Sequence, residues 1–409
     1  MDLNKKRILV IGINCLPELT GIGRYTGEML NWMVKQGHEV TMVTAFPYYP
    51  QWKIQAPHSG KFYRKEDVNK DKFSIYRCPL YVPSDPTGAK RLLHEASFFF
   101  SAFFVIFRLL FKKRHDLIFS IAPPFHLGFL SLFYRFFRGG KIVYHIQDLQ
   151  VDAAKELKML PEAFFFVLFG LERFILKQVN YVSTISDGMI QKIKEKVNQR
   201  VLFFPNWVDT FNYYSLDNRE NLKKEWGFAS EDKIVLYSGS IGEKQGLDVL
   251  IRIADNLKES PHIRIVICGT GPYKEKLMSM SSALSLQNIY FLPLQEDEVF
   301  NKFLNMADVH LVLQKGDASD LVMPSKLTTI LSVGGLALVT ANTGTTLNEV
   351  ISINKMGIVI NGDNESLLEA TIKDACLQDY SSYRENARLY AEKFLNKDNI
   401  LNKILSDLE

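Results

Sequence analysis

The residues best suited to chemistry fall in a few short blocks. The most informative runs Asp317-Ala318-Ser319-Asp320-Leu321-Val322-Met323-Pro324-Ser325-Lys326-Leu327-Thr328-Thr329 and continues to Gly334-Gly335. Pro324 suits the first turn of a helix, and the two glycines suit its C-terminal stop. Ser325 and Lys326 then sit in the first turn, where the helix dipole disfavours a cation. A lysine beside unpaired backbone N–H groups makes sense when an anion binds between them, and a diphosphate is the natural anion. The competing reading is a lysine reaching into solvent.

Two glycine loops follow the same logic. Gly239-Ser240-Ile241-Gly242-Glu243-Lys244-Gln245-Gly246 joins a strand to a helix, and Lys244 is placed to neutralise a phosphate or simply to be solvated. Gly269-Thr270-Gly271-Pro272 ends another strand. There a base or ribose can lie against bare backbone, although a tight turn needs the same residues. Near the start, Pro17-Glu18-Leu19-Thr20-Gly21-Ile22-Gly23-Arg24-Tyr25 leaves a first strand and opens a helix. Its glycines and helix N-terminus suit a phosphate or a sugar, with an ordinary glycine turn as the alternative. The spacing is not the dinucleotide fingerprint: Gly12 comes too early and no third glycine follows Gly23. The second strand also ends in Thr44-Ala45-Phe46-Pro47, with no acid to hold a ribose, which argues against a nicotinamide-dependent oxidoreductase.

These loops need strands to carry them. Arg7–Ile13, His38–Ala45, Leu117–Ala122, Lys141–Gln147 and Tyr181–Ser186 read as strands in the first half, and Gly23–Val34 as an amphipathic helix. Lys233–Ser240, Ile263–Gly269, Ile289–Leu294, Val309–Gln314 and Leu336–Ala341 repeat the scheme in the second. Strands apolar throughout and separated by helices imply parallel sheets covered on both faces. The fold class is α/β, with two doubly wound domains. The first spans 1–205, the Pro- and Asn-containing segment 206–216 is the linker, and the second spans 217–380. A C-terminal helix, 381–409, is expected to return to the first domain.

With 409 residues, 47% hydrophobic and 23% charged, the chain is neither a disulfide scaffold nor a disordered tail. A net charge of +4 is too small to argue for nucleic acid. Cys15, Cys78, Cys268 and Cys376 form no zinc-binding pattern, and the N-terminus lacks a signal-peptide core, so a cytoplasmic setting is expected.

In its blocks PELTGIGRYTGEML, GHEVTMVT, HIQDLQVDAA, STISDGM, FPNWVD, YSGSIGEKQGLDVLI, ICGTGPYKEKL and MPSKLTTILSVGG, the chain resembles the family 4 retaining glycosyltransferases. Within them it is most similar to the bacterial colanic-acid-type exopolysaccharide enzymes. The resemblance implies a GT-B fold, two Rossmann-like domains facing a central cleft, the first binding acceptor and the second donor. It implies a hexosyl transfer from a nucleoside diphosphate sugar, with retention, to a hydroxyl of a lipid-linked or oligosaccharide acceptor. A non-catalytic nucleotide-sugar-binding or scaffold subunit of the same pathway is the alternative. Donor-binding residues implied are Gly239, Ser240, Lys244, Gly269, Gly271, Ser325, Lys326, Leu327 and Thr329. Glu18, Gly21, Gly23 and Arg24 would line acceptor or sugar.

The departures shift weight among these residues. Most members have an Arg where this chain has Ser240, a Lys at Gln245 and a Glu at Thr329. Lys326 and neighbouring amides, with Lys244, would then carry more of the diphosphate. Gln147 stands at the usual histidine position, leaving Asp148 as the favoured group facing the sugar, to orient or deprotonate the acceptor, and His145 as its rival. Asp148 capping the next helix is the plain alternative. No Asp-x-Asp triplet occurs, Glu296-Asp297-Glu298 being the nearest acidic cluster, so no metal or other cofactor is expected.

Phenylalanine is abundant, 29 residues, and clustered. Ala96–Phe111 is an apolar run of about sixteen residues, followed by Lys112-Lys113-Arg114; further runs lie at 133–141 and 164–169. The first run reads as too short to span a bilayer. A helix lying in the interface of the inner membrane, its basic end on anionic lipid, fits better; a helix packed inside the domain is the alternative.

Overall fold

A computed structural model of the chain describes residues 5–18, 21–54, 56–60, 62–69, 72–156, 161–313, 324–362 and 364–409. Its contacts divide it into two compact units, Met1–Pro205 with Leu401–Glu409, and Asn206–Ile400.

The first unit is built on strands β1 (Arg7–Ile11), β2 (Glu39–Ala45), β3 (Arg64–Asn69), β4 (Phe73–Cys78), β5 (Leu117–Ala122), β6 (Lys141–Ile146), β7 (Tyr181–Thr184) and β8 (Val201–Phe203). They form one sheet in the order β3-β4-β2-β1-β5-β6-β7-β8. Every neighbour is parallel except β3 and β4. The central strands β1, β5 and β6 are buried almost throughout, as apolar strands covered on both faces must be. The polar edge strand β3 is not among the strands read from sequence. Its charged side chains blunt an open edge and give no hydrophobic signal.

Among the described residues, the helices of this unit are α1 (Gly21–Lys35), α2 (Gly88–Leu109), α3 (Leu127–Arg138), α4 (Gln150–Glu156), α5 (Glu162–Gln178) and α6 (Asp187–Lys196). From β1 to β2 the chain steps one way across the sheet; β4 to β5, β5 to β6 and β6 to β7 step the other way. Right-handed crossovers therefore put α2, α3 and α5 on the face opposite α1. α2 packs on β2, β4 and α3, and α3 packs on β5, β6 and α5. In α2, Phe98, Ala102 and Ile106 recur every four residues and are fully buried. The helix has 22 residues and is, by length and composition, able to cross a bilayer. Length is thus no argument against spanning. The argument is the packing of its inner face on the sheet.

The second unit carries β9 (Lys233–Ser238), β10 (Ile263–Cys268), β11 (Ile289–Leu292), β12 (Val309–Val312), β13 (Ala337–Thr340) and β14 (Gly357–Ile360). They make one parallel sheet in the order β11-β10-β9-β12-β13-β14. Strands β9 to β11 grow in one direction and β12 to β14 in the other, so the switch point lies between β9 and β12. Ligands of open α/β sheets bind outside the carboxyl ends of the strands at that point. Apolar clusters cover both sheet faces.

The segment 206–216 belongs to this second unit. Trp207, Val208 and Tyr213 are buried, Val208 pairs with Asn396, and Asp209 is ion-paired with Lys397. Arg388, on the helix Ser381–Tyr390, donates to the carbonyls of Thr210, Tyr213 and Ser332. One guanidinium satisfying three backbone acceptors holds that helix within the second unit. Only Leu401–Glu409 groups with the first, where the sequence reading places all of 381–409.

Candidate active site

In the second unit, the loops after β9 and β10 lie edge to edge. The Gly239 amide donates to Cys268 O at 3.0 Å, and Ile241 N to Thr270 O at 2.9 Å. Gly269, at φ +153°, lies so close that a Cβ there would stand 1.9 Å from the Gly239 carbonyl oxygen. Gly271 sits equally tight against Ile241. These glycines let the two loops close on each other, leaving bare backbone at the carboxyl edge.

The helix Ser325–Ser332, preceded by Pro324, opens into the same corner. Ser325 is exposed, Lys326 half-buried, and Leu327 and Thr329 turn into the core. The Lys326 ammonium lies 3.8 Å from the Tyr237 ring centroid, a cation–π contact. A Cβ on Gly239 would come within 3.1 Å of the same Nζ. The Tyr237 hydroxyl donates in turn to Ser240 O at 2.7 Å, anchoring the loop that Lys326 overlooks. Lysine and glycine loop therefore meet at the switch point although 87 residues separate 239 from 326. Surrounding protein strips water from the ammonium and lowers its pKa from 10.5 to about 7. An anion arriving there would restore the charge.

Other expected donor residues are placed as follows. Ser240 is exposed and uses its carbonyl structurally. Lys244 lies in the short turn Glu243–Gln245, and its side chain is outside the described residues, as are 317–323. Gln245, at the family's lysine position, accepts the Gly242 amide with Oε1 at 3.1 Å and so fastens the loop instead of supplying charge. Glu296 stands at the N-cap position of the helix Asp297–Asn305 without a side-chain capping bond, and Asp297 and Glu298 lie in its first turn. The helix N-terminus accounts for that acidic cluster.

In the first unit, the loop after β1 is a stitched structure. Glu18 is 4% exposed. Its Oε1 accepts the amides of Tyr48 and Tyr49, both at 3.0 Å, and its Oε2 accepts Asn14 Nδ2 at 2.9 Å. Burial raises its pKa despite these bonds. A Cβ on Gly23 would strike Glu18 at 2.8 Å, so that glycine is the space into which the carboxylate folds. Gly21 is exposed at the helix start, and Arg24 pairs with Glu28 at 2.8 Å. Glu18 thus holds two loops together at the carboxyl edge of β1 and β2.

Asp148 is exposed just beyond the carboxyl end of β6, whereas His145 lies within the strand and is buried. The His145 Nδ1 meets Ser183 Oγ at 3.1 Å, its ring lies against Phe204, and burial lowers its pKa to about 3. It stays neutral and has no open face. The loop bearing Asp148 is fixed by Gln150, whose Oε1 accepts Phe125 N at 3.1 Å and whose Nε2 donates to both Glu95 oxygens at 2.8 Å. Sequence reasoning missed Tyr237, Gln150 and Glu95. Tyr237 carries the one available signal, an aromatic two residues before a strand-end glycine.

A family model described as "Glycosyl transferase 4-like domain" matches residues 20–207, and one described as "Glycosyl transferases group 1" matches 218–394. The chain is 39% identical to the "Putative colanic acid biosynthesis glycosyl transferase WcaI" of Escherichia coli K12, covering 98% of this chain and 99% of the other. This chain is a family 4 glycosyltransferase. Its fold is GT-B. The crystal structure of WaaG, a glycosyltransferase involved in lipopolysaccharide biosynthesis, matches with TM-score 0.67 at 16% identity over 97% of this chain and 98% of that one. Anabaena HepE, in complex with UDP and glucose, matches with TM-score 0.69 at 13% identity over 98% and 99%. The family 4 enzyme thus has its glycine loops and Lys326 in the unit that the group 1 model covers.

Proposed function

We propose that this glycosyltransferase moves a hexosyl unit from a nucleoside diphosphate sugar to a hydroxyl of a lipid-linked glycan, with retention at the anomeric carbon and without a divalent metal. The step belongs to cell-surface polysaccharide synthesis at the inner face of the membrane, with the protein peripherally bound. The observation that carries this reading is the Lys326 ammonium held over Tyr237 beside Gly239, at the switch point of the second unit. WcaI is named for colanic acid synthesis and HepE is seen with UDP and glucose, which favours a nucleotide sugar here too.

The bond between the anomeric carbon and the diphosphate breaks, and one to the acceptor oxygen forms. Negative charge grows on the leaving diphosphate, where protonated Lys326 and the amides of Ser325 and Lys326 at the helix start stabilise it, with Lys244 nearby in sequence. The glycines at 239, 269 and 271 let nucleotide and phosphate approach the backbone. Asp148 orients the acceptor hydroxyl or takes its proton. Glu18, Gly23 and Arg24 shape the loop on the acceptor side, and His145 acts only by supporting the strand end that carries Asp148.

Thermal shifts with UDP-, GDP-, dTDP- and ADP-sugars, followed by transfer to a lipid extract with and without EDTA, test this reading. A stabilising shift with one donor, metal-independent turnover and an unchanged anomeric configuration by NMR are expected. No shift with any donor would overturn it.

A further inference from the structure

The three phenylalanine-rich runs, up to about seventy residues apart in the chain, are brought together by the topology on one face of the first unit. Ring contacts join the helices that carry them. Phe103 of α2 meets Phe133 of α3 at 5.0 Å between centroids, and Phe129 of α3 stacks with Phe174 of α5 at 6.2 Å. Outside this seam several rings point into solvent. Phe100, Phe104, Phe107 and Phe111 form an exposed stripe along α2 and just beyond it. Phe111 is 76% exposed, Phe136 on α3 82% and Phe166 on α5 84%. Isolated exposed aromatics need no explanation, but a face of this kind does.

Charge on the same helices is one-sided. Arg108, Lys112, Lys113 and Arg114 are exposed at the end of α2, and Arg173 and Lys177 on α5. α3 holds no acid at all. The acids of the other two are Glu95, bonded to Gln150, Glu172, buried and paired with Lys196, and Glu162 at the start of α5. Aromatic rings bordered by exposed cations match the acyl boundary and headgroups of an anionic leaflet. A second copy of the chain would set the same cations against themselves.

We infer that α2, α3 and α5 form a single membrane-docking face that inserts phenylalanine rings into an anionic phospholipid surface, without any helix crossing it. The contact is wider than one interfacial helix. Phe103 is half-buried against α3 and belongs to the seam, so the lipid-facing rings are those further out. This inference rests on the reading above only for its membrane setting, and its test needs neither donor nor acceptor.

Flotation is measured with vesicles of phosphatidylcholine, alone or mixed with phosphatidylglycerol. The wild-type chain is expected to float with the mixed vesicles. Phe111→Ser/Phe136→Ser/Phe166→Ser should weaken binding at least about tenfold, and Lys112→Gln/Lys113→Gln/Arg114→Gln should remove the preference for anionic lipid by a similar factor. Unchanged melting curves show that either variant is folded. A wild-type chain that stays in the supernatant would overturn the proposal. So would variants that bind like wild type, or a dimer, detected by light scattering, that the serine variant dissolves. Vesicle binding without a donor-induced thermal shift would instead refute the transfer reading and leave this one standing.

Discussion

Lys326→Met removes the ammonium over Tyr237 and keeps the length of the side chain. In the free protein, burial holds this amine near pKa 7 against an ordinary 10.5. Carrying its charge at low pH therefore costs the fold free energy, on the order of a few kcal/mol. The sign follows from proton counts. Between about pH 7 and 10.5 the unfolded chain binds the proton more tightly, so stability rises with pH through that window. At pH 6 the wild type carries the full penalty and Lys326→Met carries none, so the variant should melt higher. Donor binding should move the other way. A charge-assisted contact to a diphosphate is worth about 1.5–3 kcal/mol, so the variant should bind nucleotide sugar roughly ten- to a hundredfold more weakly. Wild-type affinity should be flat below pH 7. Above it, affinity should weaken about tenfold per pH unit, since binding must then take up a proton. A nucleotide sugar is the right probe, because its diphosphate has no proton to lose in this range. Calorimetric titration from pH 6 to 9, with melting curves alongside, measures both effects. Donor affinity that is flat with pH in the wild type, or unchanged in the variant, would refute the phosphate role.

Three further outcomes follow from the geometry. Gly269→Ala places a methyl 1.9 Å from the Gly239 carbonyl, so the paired loops must separate; donor-induced thermal stabilisation should disappear while the first unit keeps its own melting behaviour. Glu18→Ala strands the buried amide of Tyr48 and leaves that of Tyr49 to solvent, and should destabilise the first unit by about 1–3 kcal/mol in denaturant unfolding, with donor affinity unchanged. Asp148→Asn should leave the fold and donor binding intact and cut transfer at least about a hundredfold in a radiolabel assay; turnover at the wild-type rate would remove Asp148 from the chemistry.

Much of this protein was legible in one dimension. Apolar strands, glycine-ended strand loops and a Pro-Ser-Lys helix start are local signals, and each reports a backbone requirement that neighbouring residues alone impose. They determined the α/β class and the two doubly wound halves, and they set a lysine in the first turn of a helix. What they could not report is where side chains end up. In a sheet buried on both faces, an apolar strand shows no alternation, so the inward turn of His145 and the exposure of Asp148 are invisible until both faces are packed. The glycine loop and the family resemblance offer Glu18 to acceptor or sugar, and only the structure shows three donors from two segments bonded to its carboxylate. The contact of Lys326 with Tyr237, the fixing of Gln245 by Gly242, and the return of Ser381–Tyr390 to the second unit all depend on partners distant in sequence or on loop closure. The sequence alone determined that phenylalanine is concentrated in three stretches. Only the tertiary structure decided that they share one surface, because the handedness of successive crossovers, a property of the sheet and not of any helix, sets which side each helix takes.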